Sequence, residues 1–387
     1  MSPIALTRRR VLLGGVGLLA YSGTAYWSIT ERIMRAEVPL YGETVAFGGG
    51  GSREIVPVGR VDAVVPGTRV LADRVQTAAL LEEEQAWLAS CAPWVQTCLD
   101  AGDDVLRSAL LDLRALSADL KVSVAGWTDR WRYAWPRDVS FVAAALARVG
   151  HHDAAADQLR WLRGVQGRDG GFEARYDPST RRPPDDRVAQ LDGTGWVVWG
   201  AGQIAAQAPE RATELLTPLT SLLVRSCTKL LDSLDEATAT NGLAAVLAGL
   251  RSGAVVLPLV GEYALAERAR AASDTLAAQV RKHFGPNGYP RLLGGSASDA
   301  AVTFLVAPIG PTAADVEGLT AIDRAPPPML RPAGGLAPGA SWKNDGISWT
   351  PTTALFAAAW AANGYPTKAE ILLKWLGDHR TEAGSYP

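Results

Sequence analysis

From Gln76 onward, apolar residues recur at intervals of three and four, the spacing of one buried helix face. Gln76 to Ser90 and Val95 to Leu116 both follow it, split by Pro93, so the pattern predicts two helices there. Residues 41 to 75 read differently. Gly48 to Gly51, followed by Val56, Val58, Val61, Val64 and Val65, predict a loop and then short strands or extended chain. The pattern divides the chain into an N-terminal segment (1 to 35), an extended lead-in (36 to 75) and a helical domain (76 to 387).

A repeat runs through the helical part. Trp135 to Leu162 superposes on Trp349 to Leu376 at a constant offset of 214, matching Trp135 with Trp349, Ala143 to Ala145 with Ala357 to Ala359, and Gly150 with Gly364. Ala155 matches Ala369, Leu159 matches Leu373, and Trp161-Leu162 matches Trp375-Leu376. Each copy reads as a helix of small residues, a glycine at its C-terminal cap, and a second helix whose apolar face carries Ala, Leu and Trp. Weaker copies run from Gly195 to Ser226 and from Ala244 to Leu276, with Gly261 at the turn. Helical hairpins with small inner and larger outer helices close into an all-α toroid of paired helices.

In such a toroid the short glycine turns gather at one end and the long connections at the other, where function is expected. The long connections are Leu120 to Asp138, Val165 to Gly193, Asp232 to Asn241, Phe284 to Asp299 and Ile322 to Trp349. The first holds the most unusual stretch, G-W-T-D-R-W-R-Y-A-W-P-R-D from Gly126 to Asp138. Trp131, Tyr133 and Trp135 alternate, which predicts an extended aromatic wall closing on Arg137 and Asp138. Aromatic faces stack on the C–H faces of a polyhydroxylated ring, while a forked guanidinium and a carboxylate take its hydroxyls. The plainer reading makes the aromatics core and Asp138 a helix cap.

Composition narrows the classes. With 387 residues, 48% hydrophobic and 20% charged, the chain can bury a sizeable core. Its net charge is −2, and residues 1 to 35 carry five arginines against Glu31, so the remainder is acidic and nucleic acid is not an expected partner. Three cysteines (91, 98 and 227) and four histidines show no metal-ligand spacing, so neither metal nor cofactor is expected. Cys91 and Cys98 flank the Pro93 turn, either as small buried residues or as a disulfide. Thr7 to Leu12 resembles a twin-arginine export signal, and Val11 to Ile29 supplies a weakly apolar run. Export is therefore expected, with either cleavage after Ala25 or retention as an N-terminal membrane anchor.

Three stretches carry a family resemblance: Trp131 to Asp138, Gln190-Leu191-Asp192-Gly193-Thr194-Gly195-Trp196, and Arg331 to Thr353 with Ser341-Trp342-Lys343-Asn344-Asp345-Gly346 inside it. Together they resemble glycoside hydrolase family 15, the glucoamylase and glucodextranase group, from about Leu110 to the C-terminus. The resemblance implies an (α/α)6 barrel and an inverting, exo-acting hydrolase of α-glucosidic bonds in oligosaccharides or glucans. Such chemistry needs two carboxyl groups about 6.5 to 9.5 Å apart, an acid for the leaving oxygen and a base for water. On that pattern Trp131, Tyr133, Trp135, Arg137, Asp138, Asp192 and Trp349 would form the sugar pocket. Lys343 and Asp345 would be further contacts, although a Lys-Asn-Asp-Gly turn is equally a solvated loop.

Two departures stand out. Where the family places its general acid in an acidic-aromatic motif, this chain reads Ser233-Leu234-Asp235-Glu236-Ala237-Thr238, which leaves Glu236 as first candidate ahead of Asp235. Both also read simply as first-turn acids of a helix. The family's base would follow Pro387, so on this pattern the chain lacks the base and the final helix; only Glu382 remains acidic in the last loop. Two other functions stay open, a non-catalytic sugar-binding relative and an isoprenoid cyclase or prenyltransferase. The latter rests on Gln166-x-x-Asp169-Gly170-Gly171-Phe172.

Overall fold

The computed structural model describes residues 43–49, 51–234, 240–310 and 316–387. The lead-in folds as a hairpin, β1 (Thr44–Gly49) antiparallel to β2 (Ser52–Val56), with a register shift between Phe47 and Gly49. A third extended piece joins it, since Phe47 N–H donates to the Arg69 carbonyl and Leu71 N–H to the Phe47 carbonyl.

Helices follow. The first is α1 (Thr77–Ala89), and the stretch expected as one helix from Val95 to Leu116 is two, α2 (Pro93–Asp100) and α3 (Asp104–Ser117). The break lies at Gly102, whose φ of +80° ends one helix, and at Asp103, which accepts the Leu106 N–H and caps the next. Then come α4 (Pro136–Arg148), α5 (His152–Arg163), α6 (Leu191–Gln207), α7 (Thr220–Asp232), α8 (Thr240–Val256) and α9 (Tyr263–Phe284). A 3-10 segment (Ala300–Leu305), α10 (Val316–Arg324), α11 (Thr350–Ala362) and α12 (Pro366–Asp378) complete the described chain.

The 214-residue repeat is two copies of one hairpin, α4–α5 and α11–α12. Trp135 and Trp349 are both extended N-caps, and Gly150 and Gly364 both turn the chain at φ +99° and +83°. A Cβ at Gly150 or Gly364 would have to sit in this left-handed region, which explains why both copies keep glycine.

The helices of small residues lie inside. α6 packs between α4 and α8, and the 3-10 segment bridges α8 to α11. Gly193 meets Pro136 and Gly200 meets Ser140, while Gly195 meets Ala245 and Gly202 meets Ser252. Contacts that advance together along both partners mean the inner helices are parallel, so their N-termini share one end. The α6–α8 approach is so close that a Cβ on Gly195 would fall 2.2 Å from the Ala245 carbonyl oxygen. Outside them stand α5, α7, α9 and α12, and α12 touches α3. The main core lies between the two shells, with Leu159, Leu162, Val198, Ile204, Leu223 and Leu250 fully buried. Phe141, Trp196, Trp199 and Phe304 meet at centroid distances from 4.8 to 6.3 Å and fill the lumen from α4, α6 and the 3-10 segment. The fold is thus the all-α toroid expected from the repeat.

The two ends of the described chain meet. Asp112 on α3 accepts from Arg69 Nε at 2.6 Å, Ser385 Oγ at 3.0 Å and Tyr386 N–H at 2.8 Å, and Thr44 and Thr381 share a hydroxyl hydrogen bond of 2.7 Å.

Candidate carbohydrate site

The site forms where two inner helices begin. Arg137 and Asp138 occupy the first turn of α4 and Asp192 the first turn of α6, and parallel packing puts these turns side by side. Arg137 bridges both acids, Nη2 lying 3.4 Å from Asp138 Oδ2 and Nη1 3.5 Å from Asp192 Oδ2. The guanidinium and Asp138 side chains are 44% and 39% exposed, whereas Asp192 is only 12% exposed. Exposure of Asp138 is uneven across its atoms. Its Oδ2 is sealed from solvent and accepts no hydrogen bond among the described residues, so Arg137 is its main electrostatic partner.

An exposed acid in a helix's first turn is stabilised as the anion by the helix dipole and lies below the ordinary carboxyl range. Here burial wins. Desolvation pushes the Asp138 and Asp192 carboxyls up, with Arg137 opposing it in both.

The aromatic wall is smaller than the alternation predicts. The chain turns at Thr128, whose carbonyl accepts from Trp131 and Arg132 N–H, and bends again at Tyr133, so only Ala134, paired to Tyr176, and Trp135 run extended. Trp131 and Tyr133 each lie 5.9 Å from Trp135, the latter edge-on, and Trp131 is 41% exposed. Trp127 stands apart from the wall. Its indole N–H donates to the Arg53 carbonyl, and Arg132 and Arg53 sit over its ring, so it ties the lead-in to the barrel. Arg175, from the loop after α5, lies 4.2 Å from the Tyr133 ring centre and 5.4 Å from that of Trp135, and is paired with Asp185.

A cavity of about 10 Å³ sits at this junction, lined by Trp135, Arg137, Glu173, Ala174, Gln190 and Asp192. It is the size of one water, and its polar lining suits one. A larger hollow of about 280 Å³ lies at the lead-in, against Glu54, Val56, Arg60, Leu71 and Arg74. There Glu54 and Arg74 pair with each other at 2.7 Å and no aromatic face is offered, so the chemistry points to the smaller one.

Trp349 packs edge-on against Trp342 at 5.8 Å, and neither indole N–H has a partner among the described residues. Lys343 is exposed, and its carbonyl accepts from Arg331 Nη2; Asp345 accepts the Ile347 N–H in a tight turn at Gly346, whose φ is +73°. No hydrogen bond or ion pair among the described residues joins Lys343 or Asp345 to Arg137, Asp138 or Asp192, and the solvated-loop reading fits both. Glu236 and Asp235 lie outside the described residues. Glu173 and Arg175 were not singled out by the sequence, because the fold of the 164–190 loop onto Ala134 brings them there.

The Gln166 to Phe172 turn is a clasp. Gln166 Nε2 donates to the Gly170 and Leu222 carbonyls and to Ser226 Oγ, and Asp169 pairs with Lys229 at 3.4 Å, which stitches the loop to α7. The three cysteines are free, and Cys91 Sγ lies 3.4 Å from His151 Nε2.

No family model matches the sequence, and no curated protein matches it. Solved structures do. The fold is similar to that of a wild-type glycosidase at 20% identity and TM-score 0.59, covering 73% of this chain and 84% of that one. A glycosidase variant in complex with glucose matches with the same figures: 20% identity, TM-score 0.59, 73% of this chain and 84% of that one. A bacterial glucoamylase complexed with acarbose matches at 16% identity and TM-score 0.60, covering 79% of this chain and 53% of that one. At these identities the likeness bears on the fold.

Proposed function

We propose that this chain is a carbohydrate-active protein of glycoside hydrolase type, which receives the terminal glucose unit of an α-linked oligosaccharide or glucan against the exposed faces of Trp131 and Arg137, over the water-sized cavity. The observation that carries the reading is Arg137 held between Asp138 and Asp192 beside the Trp131-Tyr133-Trp135 wall, at the shared end of two inner helices. A planar donor, two acceptors and stacking faces within one niche match a sugar ring better than any apolar ligand. Glucose and acarbose bound to the structural neighbours support the same class. In the finer reading the reaction is exo-acting and inverting, with Glu236 donating the proton to the leaving oxygen.

Maltose and isomaltose hydrolysis followed by proton NMR tests this. Inversion releases β-glucose first, and Glu236→Gln abolishes turnover while leaving maltose binding in place. Release of α-glucose first would overturn the inverting mechanism, and unchanged turnover in the variant would remove Glu236 from it.

A binding-only reading has its own support, because Asp138 and Asp192 face the same guanidinium and neither is held apart for acid or base work. It predicts maltose binding without any turnover. The isoprenoid reading loses its support to the clasp role of Gln166 and Asp169, and to the lumen filled by Phe141, Trp196, Trp199 and Phe304.

The export reading rests on Thr7 to Leu12, outside the described residues; among the described residues no helix is long and apolar enough to cross a membrane. A reporter fused behind residues 1 to 42, with Arg8 and Arg9 changed to Lys, tests it by its cellular location.

A further inference from the structure

One charged group at the pocket is explained neither by the aromatic wall nor by the Arg137 ion pairs. Glu173 lines the same small cavity as Trp135, Arg137, Gln190 and Asp192. Its residue is exposed, its backbone N–H donates to Tyr176 Oη at 2.8 Å, and its carboxylate forms no ion pair or hydrogen bond among the described residues. The nearby arginines make their ion pairs with other carboxylates. Arg175 is paired with Asp185, which also takes Arg187 at 3.1 Å, and Arg137 faces Asp138 and Asp192. Asp192 lines the cavity beside Glu173 and shares Arg137 with Asp138, so the Glu173 carboxylate stands at the rim without a cation of its own among the described residues. An unpaired carboxylate at the rim attracts a cationic ligand group and repels an anionic one.

We propose that Glu173 is a specificity-determining residue, which makes the pocket favour sugars bearing an ammonium group and turn away sugars bearing a carboxylate, relative to neutral glucose. The inference rests on the sugar-binding reading above. It concerns the charge of the ligand and not the linkage cleaved.

The test is calorimetric titration of the full chain at pH 6 with glucose, glucosamine, 6-amino-6-deoxyglucose and glucuronic acid. The readout is the affinity ratio of each charged sugar to glucose, so a general loss of affinity in a variant cancels. One partly exposed charge is expected to change such a ratio by about two- to fivefold. In the wild type at least one ammonium sugar binds tighter than glucose and glucuronic acid binds weaker. Glu173→Gln moves both ratios toward one by that factor, Glu173→Lys reverses their order, and 0.5 M salt shrinks the differences as screening requires. Ratios that are the same in the wild type and both variants, with glucose still bound, overturn the role of Glu173 alone. Failure of the wild type to bind any of the four sugars overturns the sugar reading, and this inference with it.

Discussion

Replacing Arg137 with Met removes the cation that pairs with both Asp138 and Asp192, the only one among the described residues to do so, while keeping a side chain of similar length. The two contacts of 3.4 and 3.5 Å correspond to about 5 kcal/mol each at an effective dielectric of about 20, before any desolvation is counted. With the guanidinium 44% exposed, solvent screening reduces each to about 1 kcal/mol. The expected loss is therefore about 2 kcal/mol wherever both acids are ionised. Its pH dependence carries the diagnosis. Both carboxyls lie above the ordinary range because burial disfavours the anion, so their neutral forms support the fold at low pH and that support is lost as pH rises through the folded-state values. Without Arg137 those values move further up. Urea unfolding of wild type and Arg137→Met at pH 8 and pH 4.5 should show a difference of about 2 kcal/mol at pH 8 that is smaller at pH 4.5, where the two acids take up protons. The buried Glu84, whose carboxyl is also raised by desolvation, titrates in both proteins and cancels. A difference equal at the two pH values would refute the idea that the guanidinium acts as counter-ion to two desolvated acids.

Trp131→Ala removes the exposed outer member of the wall, and should weaken maltose binding about tenfold while unfolding stability changes by no more than about 0.5 kcal/mol. Gly195→Ala would push a methyl against the Ala245 carbonyl of α8, so urea unfolding should report a loss of about 3 kcal/mol or more. Gly242→Ala, where an added Cβ meets nothing within 4 Å, should instead gain up to about 1 kcal/mol from helix propensity. Asp112→Asn weakens three contacts that join Arg69 to Ser385 and Tyr386; it should cost about 2 kcal/mol and speed proteolytic removal of the last residues.

The hairpin architecture was legible because it is written twice. Trp135 and Trp349, and Gly150 and Gly364, each answer to one local requirement, an extended N-cap or a left-handed turn, and such requirements leave residue-level traces. The break after α2 was less legible, since apolar spacing continues across Gly102 and Asp103 and only turn chemistry interrupts it. The shared position of Arg137, Asp138 and Asp192 at one end of the toroid was legible because each opens an inner helix, where the long loops gather. The place of Trp127 was not legible, for the converse reason. Its neighbours alternate like a strand, but the tight turn at Thr128 and the partner Arg53, 74 residues upstream, decide where its ring goes. Glu173 left no trace, because its place depends on the pairing of Ala134 with Tyr176 across a long connection.

Titration of maltose into the wild-type chain and into Asp138→Ala measures most directly whether the niche at Arg137 is a sugar site. The account predicts saturable binding to the wild type and loss of at least tenfold in affinity on removing Asp138, with the unfolding transition of the variant still cooperative. Absence of binding to the wild type, or equal affinity in the two proteins, would contradict it.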